Sequence, residues 1–396
     1  MRRVVALGAA ALLVAVLGAF AGVWLATSRS AQHVAVVPAS VRLPERLPTL
    51  VAFVEGRLGA QFTTEPRVEM LDDDAFVDAL LEPSDEGGAV PSKYDDFAST
   101  AFALGLAGDP DDLASEMDQS FTDGVVGFYD HVTHRLAVRG TEWFPFVETT
   151  VVHELVHALQ DQQVDLRTAT ERTRMDDESY DALTALLEGH ATVVESDWID
   201  EQGRDYEDGY LDSQPAIGDG GPVDEPLVDV LGALPYDLGF EAVTSLEATS
   251  SDPDAVWNVL RTPPTTLEQV WDLARRRPGA TSFSEPAAVA PPAAPARAHL
   301  LDRGTFGVHL LTLLTMPYPD DWYWLEDDPV NGWAGDRYST WVEGDERVCT
   351  QVDVAMDDAK AAETLTDALR TWVDDGGSVR GGEGTSLVLE RCATLT

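Results

Sequence analysis

Two histidines and a glutamate stand at a spacing that lets one face of a helix hold a metal ion. The pattern H-E-x-x-H places His153, Glu154 and His157 in an apolar stretch that predicts a helix over about residues 146–163. Residues four apart project from the same helix face, so both imidazoles can bind one divalent ion. Glu154 lies beside them and can take a proton from a water bound to that ion. We expect the ion to be Zn²⁺, which lowers the pKa of such a water to roughly 7.

A third ligand is expected from the next helix, which the sequence predicts over about residues 176–202. This segment carries both Glu188 and His190. The two residues are two positions apart, so they point to different sides of a helix and only one can face the ion. Glutamate and histidine are both ligands of zinc in proteins. The residues alone therefore leave the choice between them open.

The motifs around these residues resemble those of the gluzincin group of zinc metallopeptidases. The resemblance rests mainly on H-E-L-V-H-A-L-Q-D-Q, followed by a helix that carries E-G-x-A. Four shorter motifs resemble a group of exported relatives: G-F-Y-D at 127–130, P-Y-x-x-G at 235–239, P-P-T-T-L-E-Q at 263–269 and G-W-A-G-D-R-Y at 332–338. The resemblance implies peptide-bond hydrolysis, with His153, His157 and Glu188 as zinc ligands and Glu154 as general base and acid. His190 would then support the site from behind or lie at the surface.

One position departs from the pattern of the thermolysin-like members. Those enzymes place an aspartate four residues after the ligand glutamate, where it orients a zinc histidine. That position is Thr192 in this sequence. Asp161, one helical turn beyond His157, is the candidate for the orienting role, and a solvated helix residue is the alternative.

The resemblance also implies a donor for the oxyanion and a strand for the substrate. Tyr236, in a helix predicted over residues 227–246, is the candidate donor, with Arg337 and Tyr338 as alternatives. In such enzymes the edge strand before the zinc helix pairs with the substrate backbone. The strand predicted at Arg135–Arg139 would be that edge and would bind a peptide or protein substrate in extended form.

The elements that carry these residues predict an α+β fold. We expect a small mixed sheet that ends in a hairpin, a helical zinc-binding lobe, and a C-terminal α+β tail. The Gly- and Asp-rich residues 205–223 predict a loop. The proposed divisions are an anchor or signal at 1–30, a stalk at 31–46, a metallopeptidase-like domain at 47–317 and an aromatic-rich region at 318–396.

The N-terminus predicts export across a membrane. The 23 residues from Val4 to Ala26 carry no charge and would measure roughly 34 Å as a helix, enough to cross a bilayer. Arg2 and Arg3 should stay in the cytoplasm, which places the rest of the chain outside. A cleaved signal peptide, with Ala19–Ala21 as its cleavage motif, is the alternative, and it also exports the chain.

Charge and cysteine content narrow the partners and the compartment. The chain has 70 acidic and 26 basic residues, a formal net charge of −44, which disfavours nucleic acid as a partner. Heavy use of Asp with only two lysines resembles proteins of salt-loving organisms. Cys349 and Cys392 can form a disulfide outside the cell, and two separate buried thiols are the alternative.

Aromatic residues crowd the C-terminal region and leave a second function open. They are Trp322, Tyr323, Trp324, Trp333, Tyr338 and Trp341. Such a cluster is either the core of a domain or an exposed platform for sugar or peptide. The second reading predicts a non-catalytic surface protein that recognises a cell-envelope partner or glycan.

Overall fold

The predicted α+β class is confirmed by the computed structural model of the chain. The structure describes residues 37–81, 94–173, 177–214, 226–275, 283, 285–316, 328–344, 346–382 and 384–395, together with the backbone of 13–17. Within these ranges the strands form a four-stranded, a five-stranded and a two-stranded sheet, and helices pack against the two larger sheets.

The elements are numbered in chain order. The strands are β1 (Leu13–Leu17), β2 (Val37–Pro38), β3 (Val68–Leu71), β4 (Val125–Asp130), β5 (Arg135–Arg139), β6 (Glu142–Trp143), β7 (His299–Gly304), β8 (Trp333–Glu343), β9 (Arg347–Met356), β10 (Ser378–Gly381) and β11 (Ser386–Thr394). The helices are α1 (Ala39–Leu58), α2 (Asp73–Leu80), α3 (Asp95–Leu104), α4 (Pro110–Gly124), α5 (Pro145–Val164), α6 (Leu166–Thr173), α7 (Asp177–Gln202), α8 (Arg204–Ser213), α9 (Pro226–Thr249), α10 (Ala255–Arg261), α11 (Leu267–Ala274), α12 (Gly307–Thr315), α13 (Ala359–Ala368) and α14 (Arg370–Asp374).

The four-stranded sheet contains the predicted hairpin, but β5 does not lie at the edge of this sheet. The strand order is β1-β4-β5-β3, with β4 and β5 antiparallel and β3 parallel to β5. The turn between β4 and β5 is held by Asp130, whose side chain accepts bonds from Val132 N and the Thr133 hydroxyl. The prediction that Arg135–Arg139 is an edge strand is therefore wrong. Local pattern identifies a hairpin, but it does not show which distant strand pairs with its outer side.

Helix α5 is buried on all sides, and α7 packs along it. The predicted bounds of both helices agree with the structure to within about one residue at each end. Pro145 occupies the first turn of α5, and Asp165, with φ of 54°, ends the helix in a left-handed conformation. Every residue of α5 from Phe146 to Asp161 is buried. Because neighbouring elements pack around the whole helix, the polar side chains that it carries are held in fixed positions.

Helices α7 and α9 cross at a contact between two glycines. A Cβ added to Gly189 would overlap the backbone of Gly239, and a Cβ added to Gly239 would overlap the carbonyl of Ala185. Gly189 belongs to the E-G-x-A motif and Gly239 to the P-Y-x-x-G motif. The two motifs therefore have a common structural purpose, which is to let the helix backbones touch.

The larger sheet has the order β10-β11-β9-β8-β7 and is packed against α3. The disulfide between Cys349 and Cys392, predicted as permitted, joins paired positions of β9 and β11. Trp333, Tyr338 and Trp341 are buried, so these three aromatic residues are core and not an exposed platform. Residues 322–324 lie outside the described residues. Strand β7 lies before the division proposed between residues 317 and 318, but it pairs with β8 in the same sheet as the C-terminal strands.

Two helices replace segments that were predicted to be irregular. Helix α8 occupies Arg204–Ser213, within the predicted loop, and buries parts of Tyr206 and Tyr210 against its neighbours. The Asp- and Gly-rich composition hid this aromatic pair at the i, i+4 spacing. Helix α1 begins at Ala39, within the predicted stalk, although Pro44 and Pro48 interrupt its sequence pattern.

The predicted membrane anchor lies almost entirely outside the described residues. Within Val4–Ala26 the structure gives only the backbone of β1, which is extended and antiparallel to β4. Over these five residues the chain is a strand where a helix was expected, since an apolar run suits either form. None of the helices in the described ranges has both the length and the apolar character that a bilayer span requires. The anchor therefore stays a prediction.

The glycine contact between α7 and α9 gives a test of the packing. We expect Gly189→Ala to lower the free energy of unfolding by about 1–3 kcal/mol, because the new methyl group would overlap the backbone of α9. Gly56→Ala is the matched control. It adds the same methyl group to α1, where nothing lies within 4 Å of it, and should stabilise the protein by up to about 1 kcal/mol. Urea unfolding measures both changes, and equal effects of the two substitutions would contradict the packing described here.

Candidate metal centre

Two neighbouring helices bring two imidazoles and one carboxylate to a single point. His153 and His157 project from α5, and Glu188 projects from α7. Oε2 of Glu188 lies 3.2 Å from Nε2 of His153 and 3.6 Å from Nε2 of His157. In a tetrahedral zinc site with bonds of about 2.0–2.2 Å, ligand atoms lie roughly 3.4 Å apart. The two pairs that include Glu188 therefore have the spacing of zinc ligands, and all three ligand atoms lie within 4.8 Å of one another.

Two of the polar groups in this cluster have unsatisfied atoms. Neither Nε2 of His157 nor either carboxylate oxygen of Glu154 has a hydrogen-bond partner among the described residues, and all three atoms are buried. Buried polar atoms are normally paired, since leaving them unpaired costs free energy. A cation with an attached water would satisfy all three atoms, so the residues fit the ion that the motif implies.

The structure separates Glu188 from His190. Glu188 faces the two histidines of α5, whereas His190 lies on another side of α7. Its ring packs edge-on against Trp257, with 5.2 Å between ring centroids, and it lines a pocket of about 280 Å³. Burial lowers the pKa of His190 to about 3, so this imidazole is neutral. Of the two residues that the sequence left open, Glu188 is the one beside the other ligands.

A carboxylate that the sequence analysis missed orients His153. Nδ1 of His153 lies 3.0 Å from Oε2 of Glu195, and Tyr210 on α8 donates its hydroxyl to Oε1 of the same carboxylate at 2.9 Å. Because an ionised carboxylate only accepts, Nδ1 carries the proton and Nε2 is left for a metal ion. Thr192 instead donates to the backbone carbonyl of Glu188.

Glu195 could have been found from its helical spacing. It follows Glu188 by seven positions, which is two turns of α7, so both carboxylates lie on the same helix face. The thermolysin-like pattern places the orienting residue one turn after the ligand. In this chain the same contact is made one turn later.

An amide orients His157, and Asp161 does not. Nδ1 of His157 lies 2.8 Å from Oε1 of Gln160. Asp161 instead accepts from the Tyr129 hydroxyl at 2.8 Å and from Leu166 N at 3.0 Å. The role predicted for Asp161 is therefore wrong. This carboxylate lies on the hairpin side of α5 and ties β4 to the end of the helix.

Strand β4 lies directly against the catalytic candidate Glu154. A Cβ added to Gly127 would lie 2.9 Å from Oε1 of Glu154 and 2.7 Å from Cγ2 of Thr150. Only a glycine fits this close approach of strand to helix. Burial raises the pKa of the Glu154 carboxyl well above its ordinary value, and the nearby Glu188 and Glu195 raise it further.

Two carboxylates beside His153 favour the protonated form of its imidazole. Burial by itself lowers the pKa of this imidazole, but the hydrogen bonds and charges of Glu188 and Glu195 outweigh it and raise the pKa to about 10. Burial lowers the pKa of His157, which stays neutral. Burial acts to raise the pKa of Glu188, but the two histidines outweigh it and lower the pKa. The positive charge that balances Glu188 and Glu195 is therefore favoured on His153.

Tyr236 lies beside the cluster, and the alternative donors do not. The crossing of α7 and α9 places the buried ring of Tyr236 6.3 Å from that of His153, measured between centroids. Tyr338 donates its hydroxyl to Asp302 at 2.6 Å, and Arg337 donates to the Thr305 hydroxyl. Both alternatives belong to the larger sheet and its connections.

Comparison of the chain with protein-family models, with curated proteins and with solved structures returned no match. The chemistry of the site must therefore be inferred from its own residues. These are a buried pair of histidines, a carboxylate within ligand distance of both, and a second, unpaired carboxylate on the same helix.

The pKa of His153 predicts how metal binding depends on pH. Below about pH 10 this imidazole holds a proton that a metal ion must displace, so we expect zinc affinity to rise with pH over the range from about 6 to 8. Calorimetry in buffers of different ionisation enthalpy measures the number of protons released.

Substitution of Glu195, the carboxylate next to His153, tests this explanation of the proton release. Glu195→Gln removes one of the two groups that raise the pKa of His153, so fewer protons should be released. Glu201→Gln, an exposed position on the same helix, should leave the number unchanged. Metal uptake without proton release in the wild-type protein would rule out the protonated state of His153.

Proposed function

We propose that the protein is a zinc metallopeptidase of gluzincin type that hydrolyses peptide bonds outside the cytoplasm. The observation that carries this proposal is the convergence of His153, His157 and Glu188, with the unpaired carboxylate of Glu154 beside them. The gluzincin resemblance assigns the same four residues to the same roles. The geometry thus supports the proposal by bringing together the three ligands that the motif implies.

The donor set favours zinc among the divalent ions. Two imidazole nitrogens and one carboxylate oxygen, with room for a fourth ligand, are typical of catalytic zinc. When bound, zinc would polarise the substrate carbonyl and lower the pKa of a bound water. Calcium and magnesium prefer sites built of oxygen ligands alone.

The chain's own residues supply proton transfer and charge stabilisation. Glu154, next to His153 on α5, would take a proton from the attacking water and pass it to the leaving amine. Tyr236 is the proposed donor to the oxyanion of the tetrahedral intermediate, because its ring lies next to that of His153. Glu195 and Gln160 contact Nδ1 of the two histidines, so that Nε2 of each ring can bind the metal ion.

The proposed binding position for the substrate is the side of β4 opposite β5. This strand packs against Glu154 through Gly127, and its other side is taken by β5. In the structure the outer side of β4 already pairs with an extended apolar segment, Leu13–Leu17, in antiparallel register. This pairing supports the proposal that the edge accepts an extended peptide by strand addition. A substrate would take the place of that segment.

The proposed location follows from the N-terminal sequence. An uncleaved apolar segment would anchor the protein in the membrane with the catalytic part outside, and cleavage would release it. The disulfide between Cys349 and Cys392 agrees with an oxidising compartment.

The substitution Glu154→Gln tests the proposed chemistry. We expect it to keep zinc binding and to lower kcat for peptide hydrolysis at least about 100-fold, because the amide cannot take the proton. The double variant His153→Ala/His157→Ala should lose both zinc and activity. Glu142→Gln, an exposed change of the same type, should lose neither.

Two outcomes would contradict the proposal. Hydrolysis that persists in Glu154→Gln would remove the assigned role of this residue. A wild-type protein that binds zinc and cleaves none of a diverse set of peptides would instead favour the non-catalytic alternative.

A further inference from the structure

The amide of Gln160 lies between the metal centre and the far side of α7. Its Oε1 is 2.8 Å from Nδ1 of His157. Its Nε2 donates to the Leu187 carbonyl at 3.0 Å and lies 3.4 Å from Nδ1 of His190. The side chain is completely buried, so water does not compete for these bonds.

The direction of this amide decides which nitrogen of His157 carries a proton. In the observed orientation the carbonyl oxygen accepts from Nδ1–H, which leaves the lone pair of Nε2 free for a metal ion. A flipped amide would present its NH₂ group to Nδ1. Nδ1 would then accept, the proton would move to Nε2, and His157 could no longer bind a metal.

The groups behind Gln160 favour the observed orientation. An NH₂ group has two protons to donate, and two acceptors face it, the Leu187 carbonyl and Nδ1 of His190. After a flip, the amide oxygen would face the Leu187 carbonyl with no proton between them, and it could bond to His190 only if the proton of that ring moved from Nε2 to Nδ1. Leaving buried acceptors unpaired in this way costs free energy, so the flipped form is disfavoured.

We propose that Gln160 and His190 are positioning residues that together hold His157 in its metal-binding tautomer. The inference rests on the proposed function, because it takes metal binding by His157 as part of that function. In this proposal His190, the histidine of the E-G-H sequence, has a role in the metal centre. Glu188 serves the site from one face of α7, and His190 serves it from another face through Gln160.

The environment of His190 holds its ring in the required direction. The ring packs edge-on against Trp257, 5.2 Å between centroids, and is almost fully buried. With Nδ1 accepting from Gln160, Nε2 carries the proton on the side of the ring away from that contact. Gln160 is the hydrogen-bond partner of His190 among the described residues.

Three substitutions test the inference. Gln160→Met removes the amide at similar length, and His190→Leu removes the acceptor behind it. His190→Asn keeps an oxygen acceptor near the position of Nδ1 and is the conservative rescue. Nitrogen–proton NMR of the metal-free protein reports the tautomer of His157, and competition with a chelator measures the dissociation constant for zinc.

We expect the wild-type protein to show a single Nδ1–H tautomer of His157. Gln160→Met and His190→Leu should give a mixture of tautomers and weaken zinc binding by about 10- to 100-fold. His190→Asn should stay close to the wild-type protein in both measurements. Gln162→Met is the matched control, because that amide bonds to the backbone of Thr63 and Thr64 at the surface.

Equal behaviour of His190→Leu and His190→Asn, with His157 unchanged in both, would overturn the role of His190, which would then only pack against Trp257. An unchanged tautomer in Gln160→Met would overturn the inference as a whole. Both readouts are taken without substrate, so a failure to hydrolyse peptides counts against the proposed function and not against this inference. Absence of zinc binding in the wild-type protein would remove the metal centre, while the NMR measurement would still decide the tautomer.

Discussion

The structure depends most on how helices α5 and α7 pack around a small group of buried polar side chains. His153, His157 and Glu188 share one space, and Glu154 lies beside them in an otherwise apolar core. Burying such groups is costly unless opposite charges and hydrogen bonds compensate them. The carboxylates of Glu188 and Glu195 favour a proton on His153, and a divalent cation would replace that proton.

The surrounding helices each contribute one contact that keeps this group in place. Helix α9 reaches α7 closely only because Gly189 and Gly239 have no side chains, and this crossing places Tyr236 next to His153. Helix α8 supplies Tyr210, which holds Glu195, and Glu195 in turn holds His153. Sites that perform chemistry need such support, because ligand positions must be fixed before the reaction begins.

The parts of this arrangement that follow local rules could be predicted from the sequence. The helix spacing of His153 and His157 placed both imidazoles on one face, and the helix that carries them has its predicted bounds to within about one residue at each end. The hairpin of β4 and β5 was also found from its alternating pattern.

The parts that depend on contacts between distant segments could not be predicted. Strand β5 was expected at the edge of the sheet, but β3 pairs with it in parallel and makes it an inner strand. The pattern of a hairpin carries no information about which third strand pairs with it. Asp161 was proposed because it lies one helical turn beyond His157, yet the direction of each side chain is set by what packs against α5, and Gln160 makes the contact instead. The spacing of seven residues between Glu188 and Glu195 predicts that both carboxylates lie on one helix face. The thermolysin-like pattern instead places the orienting residue at position 192, which is a threonine here.

The most direct test of the metal centre is a crystal structure of the zinc-loaded protein with anomalous data collected at the zinc absorption edge. The account predicts one strong peak within about 2.0–2.2 Å of Nε2 of His153, Nε2 of His157 and the carboxylate of Glu188. A zinc peak elsewhere in the molecule, with no peak between these three groups, would contradict it.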